Sequence, residues 1–370
     1  EYTLEQRLAC RNSRDRVAAN LFLDRHRLPA GSLQFADGRC AVGHTATIPA
    51  VAATCGGEPA PNAVTIPRVE LSGTWRACIA DDEVRREGVG LEHDDSSWPT
   101  IDVPGHWRTN AAFADSDGPL LYRHRFHLDV PAPGERRFVT LEGTFYQADV
   151  WLDGAYLGDP EGYFFPHSFD ITDLARLATD HVLAIEVSCS PQRQRASKRN
   201  ITGVLQHSDS IDPSWNPGGL WRPVSIDSTG AVRVERLRVL CRDANDARAH
   251  LRLHARLDAD RSQIALVRTS VDGDVVMEHS QPLAKGLNEV DWTLDVNDPQ
   301  LWWPWSLGEQ HLTDVRVEVL VDGEISDERA VRTGLREVAL QDWTFSVNGE
   351  RLFVKGANLA PTRAALADAT

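Results

Sequence analysis

From Val69 onward, apolar and polar residues alternate in short runs broken by turn residues, a period of two that predicts an antiparallel all-β chain. The run LYRHRFHLDV (121–130) is closed by Pro131-Ala132-Pro133-Gly134, and RFVTLEGTFYQADVWLDGAYLG (137–158) carries Asp153-Gly154 where a tight hairpin needs positive φ. The phrase Ile171-Thr172-Asp173-Leu174 predicts one brief helical turn before the strand HVLAIEVSCS. A second β pattern starts near Ala231, after GGLWRPVSIDSTG: VRVERLRVLC, HLRLHARLDA, IALVRTSVDGDVVMEHS, NEVDWTLDV and TDVRVEVLVDGEISDERAVRT. Asp272-Gly273 and Asp322-Gly323 mark hairpins there, and about seven strands in about 105 residues predict an immunoglobulin-like sandwich without the Cys, Trp, Cys spacing of antibody domains. The last run, WTFSVNGERLFVKGAN (343–358), places an Asn348-Gly349 turn before an apolar strand at Leu352-Phe353-Val354. Turn intervals are unequal, so these are hairpins and not a repeat.

Four regions follow. Residues 1–68 are an N-terminal extension, opening with TLEQRLACRNSRDRVAANLFLDRHRL and passing into an Ala, Gly, Thr and Pro-rich stretch without a clear period. Residues 69–229 make a first β-sandwich, 230–338 the immunoglobulin-like sandwich, and 339–370 a linker and the start of a further element. The one methionine is Met277, and KGANLAPTRAALADAT breaks off as a new element begins, so a longer parent protein is expected.

Composition narrows the partners. Hydrophobic residues at 42% and charged residues at 25% are ordinary for a globular chain, so disorder is not favoured. A net charge of −15 argues against nucleic acid, which is held by clustered Lys and Arg, and against anionic membranes and acidic polymers; a neutral or cationic substrate is the easier fit. No apolar stretch is long enough to span a bilayer, and the charged first residues lack a signal-peptide core; the compartment stays open, with cytoplasm ahead of secretion. Cys10, Cys40, Cys55, Cys78, Cys189 and Cys241 are scattered without CxxC pairs or His neighbours, which predicts buried free thiols and no zinc site. No GxSxG elbow, HExxH site or phosphate loop is present, and no cofactor or metal is expected.

Three clusters resemble the non-catalytic front of glycoside hydrolase family 2, the group of β-galactosidases, β-glucuronidases, β-mannosidases and exo-glucosaminidases. The first is Gly73-Thr74-Trp75, Val103-Pro104-Gly105-His106-Trp107, Leu121-Tyr122-Arg123, the DVWLDG hairpin and Gly219-Leu220-Trp221-Arg222-Pro223-Val224. The second is Asp298-Pro299-Gln300-Leu301-Trp302-Trp303-Pro304-Trp305, and the third runs from Val347 to Asn358. The resemblance covers residues 69–362. It implies a jelly-roll sugar-binding sandwich, then the immunoglobulin-like sandwich, then the first strand of a truncated (β/α)₈ barrel against which the chain packs. It also implies a carbohydrate substrate, a β-glycoside. Trp75, Trp107 and Trp151 are expected in the core, and Trp302, Trp303 and Trp305 between sandwich and barrel.

The resemblance also supplies candidate substrate contacts. Trp215-Asn216, in DPSWNP, stands where β-mannosidases carry a Trp-Asp pair reaching into the barrel pocket; Trp215 would stack on a sugar face and Asn216 hydrogen-bond a hydroxyl. The other reading is a structural loop held by Pro213 and Pro217. Lys355 and Asn358 would lie at the carboxyl end of the barrel strand, near the pocket, or Asn358 would tie the strand end to its neighbours. Asn216 in place of Asp, Leu359 in place of Trp and Arg363 in place of Asp depart from the β-mannosidase pattern. No catalytic residue is expected in this chain, because the family's two glutamates lie on later barrel strands. Asn288-Glu289 mimics the family's acid/base dipeptide but falls on a sandwich strand and is expected to be solvated. The expectation is therefore the inactive N-terminal portion of a retaining exo-β-glycosidase, β-mannosidase-like or exo-glucosaminidase-like. A stand-alone carbohydrate-binding or adhesion protein of two sandwiches is the alternative.

Overall fold

The computed structural model describes residues 68–190 and 218–358. The first sandwich contains β1 (Arg68–Glu70), β2 (Gly73–Ile79), β3 (Thr100–Val103), β4 (Leu120–His127), β5 (Arg136–Leu141), β6 (Gln147–Leu152), β7 (Ala155–Gly158), β8 (His167–Asp170), β9 (Asp180–Ser188) and β10 (Val224–Thr229). They form a six-stranded sheet, β3-β2-β4-β9-β6-β7, facing a four-stranded one, β1-β10-β5-β8, in the jelly-roll manner. The shared core takes Trp75, Tyr122, Leu141, Phe145, Val150, Ile185, Leu220 and Ile226. The expected helical turn is α2 (Thr172–Ala175).

Strand β9 is buried on both faces, because a second small core of Ala80, Trp98, Leu121 and Ala184 covers the outside of the six-stranded sheet. Its lid is a helix not foreseen in the sequence, α1 (Asp82–Glu87), followed by the loop to Trp98. Asp81 caps α1 by accepting from the backbone N–H of Glu83 at 3.0 Å and of Val84 at 2.8 Å. Arg85 forks onto Glu186 of β9 at 2.6 and 2.8 Å. Arg123 is fully buried and clamps the loop, donating to Asp95 at 2.8 Å, to the carbonyl oxygens of Gly90 at 3.0 Å and His93 at 3.2 Å, and to that of Gly88. A buried guanidinium is tolerated because its donors are filled by a carboxylate and carbonyls.

The second sandwich has the seven expected strands: β11 (Val232–Asn245), β12 (Arg248–Ala259), β13 (Gln263–Val271), β14 (Asp274–Leu283), β15 (Gly286–Asn297), β16 (Thr313–Val321) and β17 (Glu324–Thr333). A three-stranded sheet, β11-β12-β15, packs on a four-stranded one, β14-β13-β16-β17. On β12 the alternation is complete: Ala249, Leu251, Leu253, Ala255, Leu257 and Ala259 all face the core. At the joint with the first sandwich, Arg136 bridges Asp170 at 2.7 Å and Asp258 of β12 at 2.8 Å. Arg136 and Arg233 lie 4.8 and 4.1 Å from the ring of Phe138.

Residues 338–351 fold as a small meander of β18 (Val338–Gln341), β19 (Thr344–Val347) and β20 (Glu350–Arg351). The strand expected at Leu352-Phe353-Val354 is not formed. Pairing ends with the bond from Leu352 N–H to the Phe345 carbonyl at 2.9 Å, and Phe353 and Val354 are 80% and 65% exposed. A barrel strand is held by parallel neighbours, and no described residue supplies one. No described helix is long and apolar enough to cross a membrane.

Candidate functional site

The first cluster of sequence signals converges at one end of the jelly roll. Gly105 N–H donates to the Leu220 carbonyl at 2.7 Å, Trp107 N–H to Gly218 at 3.0 Å, and Phe145 N–H to Gly219 at 2.9 Å. The Trp107 indole is wedged between two glycines: a Cβ on Gly218 would lie 1.9 Å from its ring, and one on Gly118 2.6 Å. That contact explains why a Gly-Gly pair precedes Leu220-Trp221. The buried His106 ring meets the edge of Phe145 at 5.3 Å and stacks on Trp221 at 6.5 Å. Trp221 donates its indole N–H to the Tyr163 carbonyl at 2.9 Å, and the Arg222 guanidinium lies 4.6 Å from the Trp221 ring. Burial raises the Tyr122 hydroxyl far above the ordinary phenol range, against the Leu220 backbone. It pushes the Cys189 thiol up to about 12, opposed by a bond from the Gly218 backbone, so this thiol is inert at neutral pH.

This end faces solvent with Phe164 and Phe165, 51% and 71% exposed, beside Trp221. The aromatic run between Gly162 and Pro166 was the signal for them in the sequence. A cavity of about 170 Å³, lined by Asp117, Tyr146, Gln147 and Ser190 among others, opens nearby. Trp215 and Asn216 lie outside the described residues, but both described flanks of their segment, Cys189-Ser190 and Gly218, stand here.

The second cluster, the Pro and Trp loop, joins the meander. Trp302 is half-buried: its N–H donates to the Leu335 carbonyl at 2.9 Å, its carbonyl accepts from the Asn348 side chain at 3.0 Å, and Arg336 lies 4.5 Å from its ring. Trp303 is half-buried too, whereas Trp305 is 86% exposed. Trp343 adds another exposed indole at 70%. Lys355 and Asn358 are both exposed and follow the last hydrogen-bonded residue. Of the four candidate contacts, Lys355 and Asn358 are the two that fall among the described residues.

Of the three tryptophans expected in the first core, Trp75 and Trp107 are buried, while Trp151 is half-buried against the small outer core. Glu289 is solvated on β15, paired with His254 at 2.8 Å and Arg256 at 3.2 Å. Cys78 and Cys241 are free and half-buried, and Cys189 is free and buried; Cys10, Cys40 and Cys55 lie outside the described residues. Among the described residues no group of three His, Cys, Asp or Glu could hold a metal ion. What is built here is a framework of aromatic packing and backbone hydrogen bonds, with two uncovered surfaces.

Residues 232–336, the second sandwich, match the model of glycosyl hydrolases family 2. The chain is 26% identical over 287 residues to an exo-β-D-glucosaminidase of Hypocrea jecorina, covering 72% of this chain and 30% of that protein. It is 21% identical over 277 residues to a β-galactosidase of Thermoanaerobacter pseudethanolicus, covering 72% and 36%. A solved family 2 glycosyl hydrolase from Bacteroides cellulosilyticus superposes with a TM-score of 0.61 at 22% identity, over 78% of this chain and 39% of that one. These comparisons agree: the second sandwich matches the family 2 model, and the chain is similar in sequence and in fold to glycosyl hydrolases of that family. It spans about a third of the length of the curated relatives it matches.

Proposed function

We propose that this chain is the non-catalytic front of a retaining exo-β-glycosidase, of the exo-glucosaminidase or β-mannosidase type, and that it has no hydrolytic activity alone. Its two sandwiches would carry and orient a catalytic barrel that continues from Asn358. One observation carries the reading: the Pro and Trp loop and the meander, tied together through Asn348, leave Trp305, Trp343, Phe353 and Val354 uncovered by any described residue. Large apolar side chains left exposed on joined elements are what an interface would use, and the barrel's first strand would continue from there. Retaining hydrolysis needs two carboxyl groups roughly 5 to 5.5 Å apart, a pair the proposal assigns to that barrel. Trp215 and Asn216, together with Lys355 and Asn358 on the barrel's rim, would line the sugar pocket.

The test is a panel of aryl β-glucosaminides, mannosides, galactosides and glucuronides, offered to the full-length gene product and to the 370-residue chain. Hydrolysis by the first and none above blank by the second is expected. Turnover by the isolated chain, or a gene that lacks about 300 further residues of alternating strand and helix, overturns the proposal. The second outcome would leave a carbohydrate-binding module.

A further inference from the structure

The outer face of the sheet β11-β12-β15 carries its charges in columns. On β15, Asp291 pairs with Arg252 at 2.8 Å and Asp295 with His250 at 2.7 Å, so the acidic column is held by the middle strand. The opposite edge, β11, presents Arg236, Arg238 and, past a bulge, Arg242. All three are exposed, and among the described residues none makes an ion pair or side-chain hydrogen bond. The register places Arg236 directly opposite Arg256 and Arg238 opposite His254. Arg256 and His254 already hold the nearby carboxylates, Glu235 and Glu289 for the one and Glu289 and Asp291 for the other, so the middle strand offers Arg236 and Arg238 no counter-charge. A chain of net charge −15 thus keeps an unneutralised cationic row where packing gives it no reward.

We propose that this row is a binding surface for an anionic polysaccharide laid along β11. Arg236 and Arg238 project from one face roughly 7 Å apart, the two-residue repeat of a strand, and each presents a planar fork suited to carboxylate or sulfate. The face offers no exposed aromatic ring for stacking bases; Leu237, Val239 and Cys241 pack against the core, and the half-buried Leu240 is the apolar residue that alternates with the arginines, so the row lacks the anchor pockets a peptide requires. A regularly charged, extended polymer held by ion pairing alone fits it best. The inference does not depend on the catalytic reading above.

The 370-residue chain is to be titrated with polygalacturonate and dextran sulfate, with neutral dextran and polyglutamate as comparators. Binding to both anionic polysaccharides but not to dextran is expected, falling roughly 20-fold between about 50 and about 200 mM salt if three ion pairs form. Arg236→Gln/Arg238→Gln/Arg242→Gln should lose roughly tenfold or more, while the remote Arg86→Gln keeps its affinity. The thermal transition of the triple variant, expected unchanged, separates lost binding from lost fold. Equal affinity in the triple variant, no binding at low salt, or tighter binding of polyglutamate than of either polysaccharide would overturn the proposal; the last would make this an acidic-peptide surface.

Discussion

Two tryptophan-rich regions of this chain are built from the same residue types and meet opposite fates. Trp107 has no exposed surface and is wedged against Gly118 and Gly218. Trp305 and Trp343 stand open on the second sandwich and the meander. In the first region the chain completes its own packing; in the second it presents a surface. Aromatic content alone does not separate a core from an interface; how completely the chain covers each ring does.

Truncation tests this most strongly. Trp107→Ala is expected to cost about 3–5 kcal/mol, as for large-to-small changes in a closed core, and Trp305→Ala less than about 0.5 kcal/mol. Urea unfolding of the 370-residue chain reads both. Equal costs would erase the distinction. Gly218→Ala approaches the same packing from the other side: with 1.9 Å available, the indole must move, for a loss of about 1–3 kcal/mol.

Local chemistry made much of this architecture legible. Asp153, Asp272, Asp322 and Asn348 all take positive φ, each followed by its glycine, as a two-residue hairpin requires. The inward Ala and Leu positions of β12 follow directly from period two. What could not be read depends on distant partners. Helix α1 is six residues long, too short for a periodic signal, and is held by its cap and by Arg85 reaching Glu186, 101 positions away. Arg123 reads as an exposed strand charge until the loop that buries it is in place. Of the candidate contacts, Lys355 and Asn358 wait on a strand that needs neighbours, and Trp215 and Asn216 lie outside the described residues.

The sandwiches also differ in how they carry buried acid. Burial works to raise the Asp95 carboxyl, but the hydrogen bond and charge of Arg123 prevail, and Asp95 is held below the usual carboxylate range. Its contribution is present above the unfolded value of about 3.9 and lost as pH falls through the lower folded value. Asp327, in the second sandwich, is pushed up by burial despite Arg329 and the backbone N–H groups of Val234 and Glu328. Its folded value exceeds the unfolded one, so its contribution is complete below about pH 3.9 and is lost as pH rises through the folded value. Asp95→Asn should flatten the acid limb of the stability profile, and Asp327→Asn the decline on raising pH above about 4. Thermal unfolding between acid and neutral pH checks both; unchanged slopes would mean that neither carboxyl is set by its surroundings.

The smallest effect bears most directly on the open region. The β18–β19 turn places Asp342 and Trp343 at φ of 45° and 64°. Gly or Asn belongs at such a position, and a bulky side chain there is strained by roughly 1–2 kcal/mol. At 70% exposure, the indole recovers little of that through burial within the chain. Trp343→Gly should therefore stabilise the isolated chain by roughly 0.5–1 kcal/mol, after the greater freedom of glycine in the unfolded state is subtracted. In the proposed full-length enzyme the sign should reverse, because the ring would then fill a contact with the barrel. A stabilising change in both settings would leave this indole without a partner and remove the meander from the docking surface. Destabilisation in both would show that the chain already packs the ring, which would end the contrast with Trp107.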